Sequence, residues 1–146
     1  MNNYVDYKQE IKVAVDSVCI ATVNNENFVL MIKRVYPPFK DSWALPGGFL
    51  LNTEELEEGV LRELNEETNL DTSDLNPIKI DVFGKVGRDP RRRIISVAYL
   101  IKLKELKDIS LSNETTEVKW VPLKEIENYP LAFDHKEILQ KALEIL

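Results

Sequence analysis

An α+β fold, with a mixed sheet and helices against its faces, is predicted by two features of this sequence. Strand-like runs rich in β-branched residues outnumber helical patterns, and the two helical patterns fall in mixed order among them rather than alternating strand by strand. The length, 146 residues, suits a single domain over residues 1–146 with its own core.

Residues 1–10, MNNYVDYKQE, read as a short arm or first turn. Residues 11–23, IKVAVDSVCIATV, form a long strand, and after the Asn-Asn-Glu-Asn turn FVLMIKRV returns as its hairpin partner. Tyr36-Pro37-Pro38-Phe39 opens a loop, and a short strand at residues 43–45 leads into Pro46-Gly47-Gly48. The period then becomes helical, from about residue 54 to 68. Asn52 or Thr53 is the expected cap, with Glu55 three residues after Asn52 in the position of a capping box. Val60, Leu61 and Leu64 make the apolar face, with Leu56 at its margin, and Asn69 suits a left-handed helix end. Strands are expected at residues 78–86 and 94–103, separated by the Gly87-Arg88-Asp89-Pro90 turn, and a last short strand at residues 120–122. Ile138, Leu139, Ala142, Leu143 and Leu146 mark a C-terminal helix over residues 134–146, with Asp134 as its cap.

Composition narrows the function classes. A net charge of −6 argues against general nucleic-acid binding, because phosphate contacts need clustered Lys and Arg, and the one basic cluster is Arg88 with Arg91, Arg92 and Arg93. An acidic chain still binds an anionic nucleotide where a divalent metal bridges the two. The single cysteine, Cys19, excludes an intramolecular disulfide and a multi-cysteine zinc site, and its apolar surroundings make it a structural thiol. The sequence has no run long enough to span a bilayer and no signal-peptide pattern at its start, so a cytoplasmic address and no membrane partner are expected.

Glu63, Glu66 and Glu67 carry the chemical signal. Their spacing puts all three on one helical face, within roughly 60° either side of Glu63. Like charges so close are mildly unfavourable on a free helix unless a cation neutralises them, and clustered carboxylate oxygens suit a hard ion, Mg²⁺ or Mn²⁺. Taken as acids alone they read first as an ordinary solvated face, because exposed helices are commonly Glu-rich; their neighbours decide. The stretch GFLLNTEELEEGVLRELNEETNL resembles the Nudix box, with Gly48, Glu54, Arg62, Glu63, Leu64, Glu66, Glu67 and Leu70 on the pattern and Asn69 standing where the family has Gly. A chance match is on the order of one in 10⁷ per starting position at average residue usage.

The resemblance implies an α/β/α sandwich with a strand–loop–helix catalytic motif. It implies that Glu66, Glu67 and the Gly47 carbonyl bind Mg²⁺ or Mn²⁺, that Glu63 joins the metal shell or acts as base, and that Arg62 is structural, paired with Glu54 or Glu58. The chemistry it implies is attack of water on phosphorus with a nucleotide leaving group. The base in such enzymes sometimes comes from a loop outside the box, and Glu114, Glu117 and Asp89 are the candidates here. VFGKVGRDPRRRIISVAYL and, further on, LAFDH resemble the branch containing ADP-ribose pyrophosphatases and the Nudix domains of regulators of NAD metabolism, so ADP-ribose is the expected small-molecule substrate.

Arg88 and Arg91 would clamp phosphate or ribose. Phe83 or Tyr99 would stack on adenine, although strand aromatics, like Trp43 and Trp120, are more often core. His135 reads as a structural hydrogen-bonding residue. Rival readings are a hydrolase of (deoxy)nucleoside triphosphates or dinucleoside polyphosphates, a DNA-binding regulator, which would need a basic recognition helix, and a non-catalytic nucleotide sensor, which would not need the three acids. Many relatives pair as homodimers.

Overall fold

The computed structural model describes residues 8–146. The arm expected over residues 1–10 falls mostly outside them, and residues 8–10 are exposed and belong to no regular element. Among the described residues seven strands form one mixed sheet: β1 Lys12–Val23, β2 Glu26–Arg34, β3 Trp43–Ala44, β4 Gly47–Phe49, β5 Ile78–Phe83, β6 Ile94–Leu103 and β7 Thr115–Pro122. Helix α1, Leu56–Thr68, lies between β4 and β5, and α2, His135–Ile145, closes the chain.

The long first strand explains the layers. Its odd positions Val15, Cys19 and Ala21 pack with Val60 and Leu64 of α1, whereas Val18 and Ile20 pack with Ile138, Leu139 and Ala142 of α2. Side chains alternate across a strand, so a strand covered on both faces has to read as one continuous apolar run. The result is the α/β/α sandwich. Cys19 lies inside this run, and burial pushes its thiol pKa up.

The split of β1 from β2 creates the space for a site. The β1 strand runs parallel to β6 over ten residue pairs, from Lys12 opposite Ile94 to Ala21 opposite Leu103. On its other edge it pairs with β2 only at residues 20–23, and with β4 at residues 14–16. One edge of β2 is taken by β7 at residues 28–34, so β1 and then β3 must share its other edge in succession. The two strands diverge, and the loop between β3 and β4 fills the wedge. Both the N–H and the hydroxyl of Ser17 donate to the Pro46 carbonyl, at 2.9 and 3.1 Å, and fix that loop.

Several boundaries differ from expectation. The N-cap of α1 is Glu55, not Asn52 or Thr53, and the capping box is reciprocal between Glu55 and Glu58. The β5 strand ends at Phe83. The last strand spans eight residues instead of three and runs into a short 3₁₀ segment, Leu123–Asn128. Asp134 precedes α2 but its carboxylate makes no cap bond; it is bound to Arg88 instead. Among the described residues no helix is long and apolar enough to cross a membrane.

Candidate active site

Arg62 organises the helix that carries the acids. Its guanidinium donates to both oxygens of Glu54 at 2.8 and 2.6 Å, to the Phe49 carbonyl at 3.1 Å, to Glu63 at 2.9 Å and to Glu66 at 3.1 Å. Glu54 also accepts from the Leu51 N–H, so the strand–helix connection is closed from both sides. Hydrogen bonds from Arg62 hold the Glu54 carboxyl down at about 2. Glu58, the other partner considered for Arg62, is used in the helix cap. With all its donors engaged, Arg62 shapes the site and is not free to meet a substrate.

The three acids of the box point to two places. Glu63 and Glu66 converge with Glu114 from the loop before β7: each offers an oxygen within 4.8 Å of the others. Glu67 turns inward, where its carboxylate accepts the Gly47 N–H at 2.6 Å. Burial raises the Glu67 pKa well above the usual carboxylate range; the Gly47 bond opposes this, while Glu63, Glu114 and Asp16 add to it. Burial likewise raises Glu63, with Arg62 pulling the other way and Glu66 and Glu114 reinforcing the rise. Three carboxylates, Glu54, Glu63 and Glu66, thus bind one guanidinium, and Glu67 and Glu114 add two further acids close to Glu63.

The glycines are required by this packing. A Cβ on Gly47 would collide with the Asp16 carboxylate and the Val15 carbonyl, and one on Gly48 would fall about 2.5 Å from the Glu63 carboxylate. These oxygen-only, negatively charged surroundings fit a hard divalent cation.

Beside Glu67 a pocket opens in the wedge between β1 and β2, lined by Asp16, Arg34, Gly47, Phe49, Phe133 and His135 among others. Its floor is polar and buried. The Ser96 hydroxyl donates to Asp16, the Asp16–His135 distance is 3.7 Å, and His135 Nδ1 accepts the Leu45 N–H at 3.0 Å. Burial lowers the His135 pKa. This neutral ring therefore anchors the β3–β4 loop, the structural hydrogen bond expected of it. At the rim, Arg34 and Arg91 lie 4.8 and 5.5 Å from the Phe133 ring, and Arg91 is 5.7 Å from Phe49.

The remaining expected residues separate. Arg88 and Arg91 both line the pocket, but Arg88 is 4% exposed at its side chain and grips Asp134 through two bonds of 2.7 and 2.8 Å. Arg91 grips Asp89 in the same bidentate way while remaining 41% exposed. Asp89 is thereby buried against Arg91, and Glu117 pairs with Lys33 at 3.8 Å on the exposed side of β7, so of the three loop acids only Glu114 joins the box. Phe83 packs against the α2-side core and does not line the pocket, and Tyr99 is core, its hydroxyl 3.3 Å from Glu57. Asp16, Arg34, Phe49 and Phe133 were not anticipated. Of these only Asp16 leaves a mark in the sequence, as a lone acid inside an apolar strand.

The NUDIX domain profile matches residues 13–142. An ADP-ribose pyrophosphatase of Methanocaldococcus jannaschii is 36% identical over 132 residues, covering 88% of this chain and 70% of its own length. The NUDIX domain of Shewanella oneidensis NrtR, solved in complex with ADP ribose, superposes with a TM-score of 0.85 at 31% identity, covering 98% of this chain and 94% of that one. A bifunctional NMN adenylyltransferase/ADP ribose pyrophosphatase from Francisella tularensis, solved with AMP and a manganese ion, has a TM-score of 0.80 at 32% identity; the match covers 94% of this chain and 42% of that one. With the acids, the glycines and the Arg62 hub placed as described, this chain belongs to the Nudix family and is a Nudix pyrophosphohydrolase.

Proposed function

We propose that the protein hydrolyses ADP-ribose to AMP and ribose 5-phosphate, using Mg²⁺ or Mn²⁺. The observation that carries this reading is the continuity of the site: the acidic cluster adjoins, through Glu67 and Gly47, a pocket rimmed by arginines and aromatic rings. A molecule with a diphosphate at its centre and a sugar and a base at its ends suits that arrangement. The similarity to an ADP-ribose pyrophosphatase and to a domain holding ADP ribose supports the choice of ligand.

Glu63, Glu66, Glu67 and the Gly47 carbonyl are assigned to hold the metal, which when bound polarises the phosphoryl oxygens and lowers the pKa of water. Glu114 is assigned as the base that takes the proton from the attacking water, because it is the loop acid whose oxygen approaches Glu63 and Glu66. Arg91, exposed and beside two rings, is assigned to hold a phosphate or ribose oxygen, with Asp89 keeping its fork oriented. Phe49 and Phe133 replace Phe83 as the aromatic surfaces for the base or sugar.

The test is a panel of ADP-ribose, (deoxy)nucleoside triphosphates and dinucleoside polyphosphates, assayed with Mg²⁺, with Mn²⁺ and with chelator. ADP-ribose is expected to show the highest kcat/KM, with AMP as a product and no turnover in chelator. A higher value for a triphosphate or dinucleoside polyphosphate would reassign the substrate. Tight ADP-ribose binding without turnover of any compound would make the chain a sensor.

A further inference from the structure

Asn69 ends α1 in the left-handed conformation, with φ of 57°, and its N–H closes the last turn onto the Asn65 carbonyl at 2.8 Å. Glycine would make the same turn with no steric cost. The asparagine side chain does something glycine cannot. Its amide nitrogen donates to the Ser110 hydroxyl at 2.9 Å and the Leu111 carbonyl at 3.0 Å, with the Ser110 carbonyl at 3.4 Å. Beside it, the Ser110 N–H donates to the Thr68 carbonyl at 2.9 Å, and at the far end of the same loop Thr115 Oγ1 lies 3.4 Å from the Glu67 carbonyl.

Residues 110–115 are thus fastened at both ends to the final turn of the catalytic helix. Between the fastenings, the Ser112 hydroxyl accepts the Glu114 N–H at 3.1 Å, and the Glu114 carboxylate reaches Glu63 and Glu66. Leu111, Asn113 and Glu114 are exposed, so little apolar burial holds this loop and the hydrogen bonds decide its path.

We propose that Asn69 is a positioning residue for Glu114: its carboxamide fixes the main chain at residues 110–111, and this delivers the Glu114 carboxylate to the acidic cluster. The role rests on the reading of Glu114 as the base. Asn69 acts through the loop and meets no substrate itself.

Asn69→Gly removes the carboxamide while keeping the turn, so the variant folds. Two measurements test it: amide hydrogen exchange across residues 110–115, and steady-state kinetics on the best substrate of the panel, in the wild-type and Glu114→Gln backgrounds. Exchange is expected to quicken by about fivefold or more, the factor that one ordinary hydrogen bond represents. A kcat lower by about the same factor is expected, with KM little changed and no further loss in Glu114→Gln. Asn69→Asp, which replaces the donating amide by an acceptor-only carboxylate facing the Ser110 and Leu111 carbonyl oxygens, should behave like Asn69→Gly or worse. Wild-type exchange in Asn69→Gly overturns the proposal, as does a loss that adds in full to that of Glu114→Gln. If Glu114→Gln itself runs at the wild-type rate, the base assignment fails and this role for Asn69 fails with it. A slow Glu114→Gln beside a fully active Asn69→Gly removes the positioning role alone.

Discussion

The acidic and the guanidinium sides of the site are built on opposite electrostatic plans. On the helix side, three carboxylates share one arginine and two more, Glu67 and Glu114, lie close to them, and burial raises Glu63 and Glu67 above the usual range. On the pocket side each of two arginines has its own bidentate carboxylate, Arg88 with Asp134 and Arg91 with Asp89. The first arrangement is unfavourable until a cation arrives; in the second these two arginines are each neutralised by their own acid. Uncompensated charge therefore marks where metal chemistry is expected, and a compensated pair marks architecture where it is also buried, as at Arg88, whereas Arg91 keeps an exposed edge. Arg88 illustrates this: its place in the pocket lining suggests a phosphate ligand, whereas it is buried and its Nε and Nη2 tie the 87–90 turn to the start of α2 through Asp134.

The sharpest way to break this contrast is to remove one charge from each side. On the helix side, Glu67→Gln should lower kcat at least about 10²-fold with the fold intact, since a metal ligand is lost and a buried carboxylate is relieved. A variant turning over near the wild-type rate would show that the charge excess is not used. On the pocket side, Asp134→Asn should act on stability, costing about 2 kcal/mol as charge-assisted bonds weaken around a buried guanidinium. Urea denaturation checks it; an unchanged midpoint with a raised KM would instead place Arg88 on the substrate.

A third test uses pH and metal together. Glu67 has a folded-state pKa above its unfolded one, so between the two the folded protein binds more protons than the unfolded chain. Stability of the metal-free protein should therefore fall as pH rises from the ordinary glutamate range through the raised pKa. Glu67→Gln should flatten that slope. The cation needs the deprotonated ligands, so the stabilisation it gives should grow over the same pH interval, reaching about 1.4 kcal/mol at ten times its Kd. Thermal melts across pH with and without Mg²⁺ decide it; a metal-free Tm that rises through this window would contradict the assigned burial of Glu67.

Half of the site was legible before folding, for a physical reason. Glu63, Glu66 and Glu67 are put on one helical face by the period, and the neighbouring Arg62 and Glu54 are local, so the sequence names these residues even though Glu67 turns inward to Gly47. The pocket is not local. Asp16, Arg34, Phe49 and Phe133 come from four segments, and only the divergence of β1 from β2 gathers them. Phe83 was a reasonable aromatic by sequence, but the register of β5 shifts between Lys79 and Asp81, and Phe83 packs with Ile80 on the α2 side. The start of β7 was missed because Thr115, Glu117 and Lys119 belong to a half-exposed strand, which pairs only with β2 among the described residues and has no apolar run to announce it. Helix capping moved for a similar reason: Glu55 and Glu58 satisfy each other reciprocally, and no spacing rule ranks that above Asn52 with Glu55.

The smallest expected effect belongs to a residue that looks equivalent in the sequence. Glu114 and Glu117 lie three positions apart, both exposed, both candidates for a base. Their difference comes from where each falls relative to the start of β7. Glu114 precedes the strand, on the loop fastened to the end of α1, and meets Glu63 and Glu66. Glu117 lies within the strand and faces Lys33 on β2 at 3.8 Å, a distance and exposure at which an ion pair contributes little. Glu117→Gln should leave kcat and KM unchanged and shift stability by no more than about 0.5 kcal/mol. The comparison is made by running it beside Glu114→Gln under the same metal and substrate. Equal losses in the two would mean that general acidity of this edge matters and that the convergence of one carboxylate does not, which would undo the distinction between used and compensated charge at its weakest point.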